Sequence, residues 1–242
     1  MLRERLTDER GFTLPEVLIA ASVGSVIIGA VLILVQYAVK TQVDTTSRMD
    51  ATQKGRAAIN ELSRSMRSQT CAGATVFLSA SATSVQFISS VGAANTTDQA
   101  LQRKTITWVP DASGGTGKIT ETTDPMSSWT TNPAGNPTFV GTYGTGSTRT
   151  VAQDVKLVDN TSFLRYFTFQ GSPATPTREL TPATAGANLA DADLARIVRI
   201  DFAFKSTNAM SRSNPDLIFT NSAVNRTADP DSTQGTLPCN FR

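Results

Sequence analysis

Arg10-Gly11-Phe12-Thr13-Leu14-Pro15-Glu16-Val17 is the stretch on which the reading of this chain turns, because a charged leader ends there and a long apolar run begins. Residues 1–11, MLRERLTDERG, carry Arg3, Arg5 and Arg10 against Glu4, Asp8 and Glu9, and are too short and too charged to bury a face. From Phe12 to Val39 the one charged side chain is Glu16. Val17 to Val35 is long enough to cross a bilayer as a helix rising about 1.5 Å per residue. It lacks the polar face that a soluble amphipathic helix would show.

Three kinds of segment compete for this pattern. A secretory signal peptide has an apolar core of about 7 to 15 residues before a small-residue cleavage site, whereas this run is longer and leads into a charged helix. A plain signal anchor accounts for the length and for the basic side as cytoplasmic, but not for a carboxylate just inside the apolar run. The third is a pilin-type segment. RGFTLPEV, Arg10 to Val17, resembles the processing site of type IV prepilins and type II secretion pseudopilins, with its short charged leader, Gly before Phe, Glu four residues on, and long apolar helix.

The resemblance implies cleavage between Gly11 and Phe12 by a membrane prepilin peptidase, N-methylation of Phe12, and assembly with other pilin or pseudopilin subunits. Pro15 departs from the Leu or Ile of many pilins, but proline fits a first helical turn, where its missing N–H has no partner to lose. A carboxylate among lipid tails costs about 2.5 to 3.5 kcal/mol on insertion scales, so Glu16 needs a cation. In the family that cation is the cleaved α-amine of a neighbouring subunit, which makes Glu16 the expected assembly residue; the alternative is a Glu that snorkels to the headgroups. Gly24 and Gly29, with Ser22 and Ser25, either let apolar helices approach closely or loosen the helix locally.

Beyond the apolar run, residues 40–70 read as an amphipathic helix with Gly55, Ile59, Leu62 and Met66 on one stripe. Asp44 with Arg48, and Asp50 with Lys54, are opposite charges four apart on its exposed side. After Cys71 the pattern turns to strands, expected at Ala74–Ser79, Ser84–Ser89, Lys104–Val109, Gly117–Thr120, Ser162–Phe169 and Arg196–Phe204. The last alternates Val198, Ile200, Phe202 and Phe204 with Arg199, Asp201 and Ala203, as a half-buried antiparallel strand does.

The expected fold is therefore α+β: a long N-terminal helix packed on an antiparallel sheet with long loops, which also resembles the pilin fold. Its divisions are a leader at 1–11, a membrane or filament-core helix at 12–39, an amphipathic helix at 40–70 and a β-rich extracytoplasmic domain at 71–242. Size and the late strand resemble the larger J-type minor pseudopilins and related minor pilins. Tip-most members of that group often lack the Glu, so its presence implies another subunit above this one. Asp111–Thr150, Gly171–Asn188 and Ser206–Pro238 read as loops rich in Gly, Pro, Ser, Thr and Asn. In the first and just before it, Trp108, Trp129, Phe139 and Tyr143 form either a contact patch or local packing.

With 22 Lys and Arg against 20 Asp and Glu, overall charge gives no reason to expect a nucleic-acid partner. The chain has no histidine, which removes the commonest general base and metal ligand. Its thiols are Cys71 and Cys239, too few for a zinc site without histidine. Outside the cytoplasm the two thiols are expected to form a disulfide, worth about 4 to 5 kcal/mol if chain entropy governs; the alternative is a pair of buried free thiols. No metal or cofactor is expected, and no enzyme. Gly114-Gly-Thr-Gly-Lys118 fails as a phosphate loop, since Ala112 and Ile119 stand where Gly and Ser or Thr are required. Asn95, Asn160 and Asn225 open glycosylation-type triplets of the kind an Asn- and Thr-rich chain contains by chance. Asp191 and Asp193 read as a helix start or solvated turn rather than a Ca²⁺ site. The competing function classes are a membrane-anchored exported enzyme and an anchored binding module that does not polymerise.

Overall fold

The computed structural model describes residues 12–70, 76–91, 100–112, 115–126, 142–158, 162–170, 175–184, 186–206 and 217–225. Helix α1 covers Leu14–Arg67. Two compact units divide within it, residues up to Ser47 and residues from Arg48 onward. In the first, an 18-residue window of mean hydropathy 2.7 has none of its residues buried. This is a helix long and apolar enough to cross a membrane. Its hydroxyls are satisfied internally: Ser22 donates to the Ile19 carbonyl, Ser25 to that of Ser22, and Thr41 to that of Tyr37. Such back-bonding lets small polar residues sit in an apolar setting.

In the second unit α1 acquires a buried stripe, Ala51, Gly55, Ala58, Leu62 and Met66, at intervals of four, three, four and four residues. Ile59, expected on that stripe, is half-buried at its edge. Lys54 Nζ lies 2.7 Å from Asp50 Oδ2, as the i, i+4 spacing predicts. The helix ends where Ser68 turns back, its hydroxyl and amide both donating to the Ser65 carbonyl. Arg64 and Arg67 in the last turn favour the negative end of the helix dipole.

The strands, all antiparallel, are β1 Phe77–Ala80, β2 Ser84–Val91, β3 Ala100–Pro110, β4 Gly117–Pro125, β5 Ser147–Lys156, β6 Leu164–Gln170, β7 Thr175–Leu180, β8 Arg199–Ser206 and β9 Leu217–Val224. They run β1-β2-β3-β4-β5-β8-β6-β7, with β9 paired to β8. One side of β8 is covered along its length by β9; the other is shared between β6, opposite Arg199 to Phe202, and β5, opposite Lys205 and Ser206. Strand β5 reaches both β4 and β8 through an irregular register near Gln153 and Asp154. Asp154 there has φ 54°, the left-handed conformation that a bulge demands and that Asp tolerates better than most residues.

The core lies between α1 from Ala58 onward and one face of this sheet, with Val85, Phe87, Ile106, Ile119, Val155, Ile200, Phe202 and Phe204 beneath Leu62 and Met66. The alternation expected in β8 holds: Ile200, Phe202, Phe204 and Ser206 are buried and their neighbours half-buried. Asp191 and Asp193 open the short helix α2, Asp191–Leu194, which bears out the helix-start reading.

Three strands lie where loops were expected. β5 overlaps the end of Asp111–Thr150, β7 falls inside Gly171–Asn188 and β9 inside Ser206–Pro238. Pro176 in β7 and the Asn221-Ser222 pair in β9 are poor strand formers in isolation. Both strands lie at the end of a run of pairing, where ladder partners outweigh propensity.

Candidate functional site

Thr13 precedes α1, and its carbonyl accepts from the amides of Glu16 at 3.0 Å and Val17 at 3.2 Å. Pro15 and Glu16 thus fall in the first turn, where free amide donors would otherwise go unpaired. Thr13-Leu-Pro-Glu16 also has the Thr-x-x-Glu spacing of a capping box, a signal visible in the sequence and missed there. A carboxylate in this position favours the positive end of the helix dipole, so Glu16 helps start the helix whatever else it binds. Phe12 is 80% exposed, and Glu16 and every apolar residue from Leu14 to Ile19 are exposed as well. Gly24 and Gly29 have no atom of another element within 4 Å of where a Cβ would stand. Among the described residues none buries this surface.

Gly11 and the two cysteines, Cys71 and Cys239, lie outside the described residues, as do Trp129 and Phe139 of the suggested aromatic patch. Its other members separate: Trp108 packs against the core, and the Arg103 guanidinium stacks 4.0 Å from the Tyr143 ring centre.

The second unit attaches α1 to the sheet by contacts that sequence reasoning did not find. At Gly55 the tip of the Phe219 ring occupies the space of a side chain, with Cζ 2.2 Å from an ideal Cβ. Phe219 in turn stacks on Phe204, centroids 5.7 Å apart. One turn pair further on, Asn221 Nδ2 donates to Ser63 Oγ at 2.8 Å.

A charged cluster follows. Arg149 of β5 pairs with Glu61 of α1 and, at 3.0 Å, with Glu121 of β4; Lys104 of β3 lies 3.5 Å from Glu121 and 3.3 Å from Ser65 Oγ. Glu121 is only 3% exposed, so these two cations are what make its burial tolerable. The hydrogen bond from Arg149 holds the Glu61 carboxyl below the usual carboxylate range. Thr70 and Ser90 amides then pair with the Ile88 and Ser68 carbonyls, and the chain passes from helix to sheet.

A membrane-length helix that opens on Phe12 and Glu16 and leads into an antiparallel sheet defines a pilin-like α+β architecture. Residues 6–32 match the family model described as the prokaryotic N-terminal methylation motif, the signature of type IV pilins and pseudopilins. The match covers residues just before α1 and the first part of that helix, and ends well before the sheet. Comparison with curated proteins and with solved structures gives no match. The motif supports a type IV pilin-like or pseudopilin protein, a structural rather than an enzymatic class. It implies processing by a prepilin peptidase and assembly with other pilin subunits in a membrane.

Proposed function

We propose that this chain is a minor pilin-like structural subunit of a type IV pilus or related filament. It is held in the inner or cytoplasmic membrane by a single pass, with its sheet domain outside the cytoplasm, until it is extracted into the filament. Cleavage between Gly11 and Phe12 creates the amine, subsequently methylated, that pairs with Glu16 of a neighbour. The observation that carries this reading is the methylation motif at residues 6–32, continuous with a helix whose apolar surface is entirely unburied. Close packing of that surface against neighbouring helices replaces its contacts with lipid and keeps it out of water once extracted, and the amine offsets the carboxylate. The minor rank is supported by length and by the long polar segments of the chain. No reaction is assigned to it, in keeping with the absence of histidine.

The type II secretion pseudopilin is the second reading, supported by the same motif. Mass spectrometry of the membrane-extracted chain tests the common part: a methylated Phe12 terminus is expected. An intact Met1 terminus would overturn both readings in favour of an anchored module that does not polymerise. Neighbouring genes separate the two: the assembly ATPase and the further short-leader precursors encoded beside this chain identify the machine.

A further inference from the structure

The sheet face turned away from α1 carries a cleft of about 490 Å³ over β6, β8 and β9. Its floor follows the strand register: Arg165, Asp201 and Ser222 form one cross-strand row, and Ala203 with Thr220 part of the next but one. Ala203 is the reason a cleft exists, because it places a methyl group between Asp201 and Lys205 on the same side of β8. The volume lies in the range of small-ligand sites.

The charges in this wall are balanced in pairs. Arg199 Nε lies 2.9 Å from Asp201 Oδ1, and Arg165 Nε donates to Glu179 Oε1 at 2.7 Å. Both guanidinium groups also lie against the Phe167 ring, at 4.1 and 5.5 Å from its centre, which fixes their planes. Every cation already has its anion at contact distance, so the cleft offers no net attraction to a phosphate, a carboxylate or an ammonium group. It still has hydrogen-bonding capacity. Arg199 Nη2 donates to Asp201 Oδ2 over a long 3.3 Å, and although Arg199 Nε and Asp201 Oδ1 are themselves buried, neither the guanidinium nor the carboxylate is saturated by that one bond. The two side chains keep 26% and 35% of their surface open, and the Thr220 and Ser222 hydroxyls are exposed beside them.

We propose that this cleft binds a neutral saccharide. A vicinal diol donates one hydroxyl to the Asp201 carboxylate and accepts from the Arg199 guanidinium, and the neighbouring hydroxyls take the Thr220 and Ser222 positions. A C–H face of the sugar ring lies over the Ala203 methyl. A carboxylate and a guanidinium held side by side match a polyol, whose every oxygen both donates and accepts. They do not match a singly charged group. The site goes beyond the filament reading and does not depend on it, because it lies wholly within the second unit.

The test uses the full-length chain in lauryldimethylamine oxide micelles, a detergent without a sugar headgroup. Maltose, lactose and cellobiose are titrated separately and followed by saturation-transfer NMR. Saturable binding of at least one is expected, with a Kd on the order of millimolar, which inorganic phosphate and glutamate do not displace. Ala203→Phe, which fills the cleft from the outer face, abolishes it. Thr220→Val and Ser222→Ala, at exposed positions, each weaken it by about fivefold. Should Ala203→Phe fail to give the native near-ultraviolet circular dichroism, these two exposed variants decide. Absence of binding by all three saccharides, unchanged binding in the variants, or displacement by phosphate would overturn the assignment.

Discussion

Gly55→Ala should destabilise the second unit, although alanine is the better helix former. In an exposed helix the change is worth about 1 kcal/mol in favour of alanine. Here the added Cβ would stand 2.2 Å from Phe219 Cζ and 2.3 and 2.6 Å from Cε2 and Cε1, so the ring must leave its place. Its departure forfeits the stack on Phe204, about 0.5 to 1.5 kcal/mol, and much of the burial of a large aromatic, about 1.5 to 3 kcal/mol when complete. Because Phe219 is only half-buried, the net loss comes to about 1 to 2 kcal/mol, or a fall in Tm of about 2 to 8 °C for a unit of this size. The decisive measurement is a double-mutant cycle in the detergent-extracted chain, melted under near-ultraviolet circular dichroism. In a Phe219→Ala background the clash is gone, and Gly55→Ala should change sign and stabilise by up to about 1 kcal/mol. If Gly55→Ala has the same effect in both backgrounds, the ring does not set the requirement for glycine.

Glu121→Ala strands Lys104, 13% exposed, without its carboxylate and should cost about 3 kcal/mol in urea unfolding, whereas Lys104→Met with Glu121→Leu together should cost far less. Since Arg149 depresses the folded Glu61 pKa, the stability Glu61 contributes is present above the unfolded value of about 4.3 and is lost as pH falls through the lower folded value; Glu61→Gln should lower Tm across the neutral and alkaline range, flatten the acid limb of a Tm-against-pH curve and converge with the parent chain at low pH. Glu16→Ala should leave membrane insertion intact, by carbonate extraction, and reduce the amount of chain recovered in sheared filaments; normal recovery would remove Glu16 from assembly.

Which parts of this protein could be read directly, and which could not, follows from the range of the forces involved. The apolar run, its Glu16, the stripe at Gly55, Leu62 and Met66, and the alternation of β8 are each written in a few consecutive turns or residues, and the structure carries all of them as read. β7 and β9 were hidden because their local composition favours loop, and only pairing with β6 and β8 makes them strands. Gly55 was legible as part of a stripe, but not as a seat for Phe219, which lies in a strand far along the chain. The same distance hid the contact of Glu61 with Arg149, and the cleft at Ala203.

From order and composition alone, then, come the class of the fold and the membrane-length helix, because bilayer thickness and helical periodicity act on neighbouring residues. Only folding brings Arg149 to Glu61, sets Phe219 on Gly55 and opens a polar cleft over β8, because such contacts depend on which strands lie side by side. Helix packing surfaces repeat every turn and can be counted; side-chain partners across a sheet exist only once the register is set.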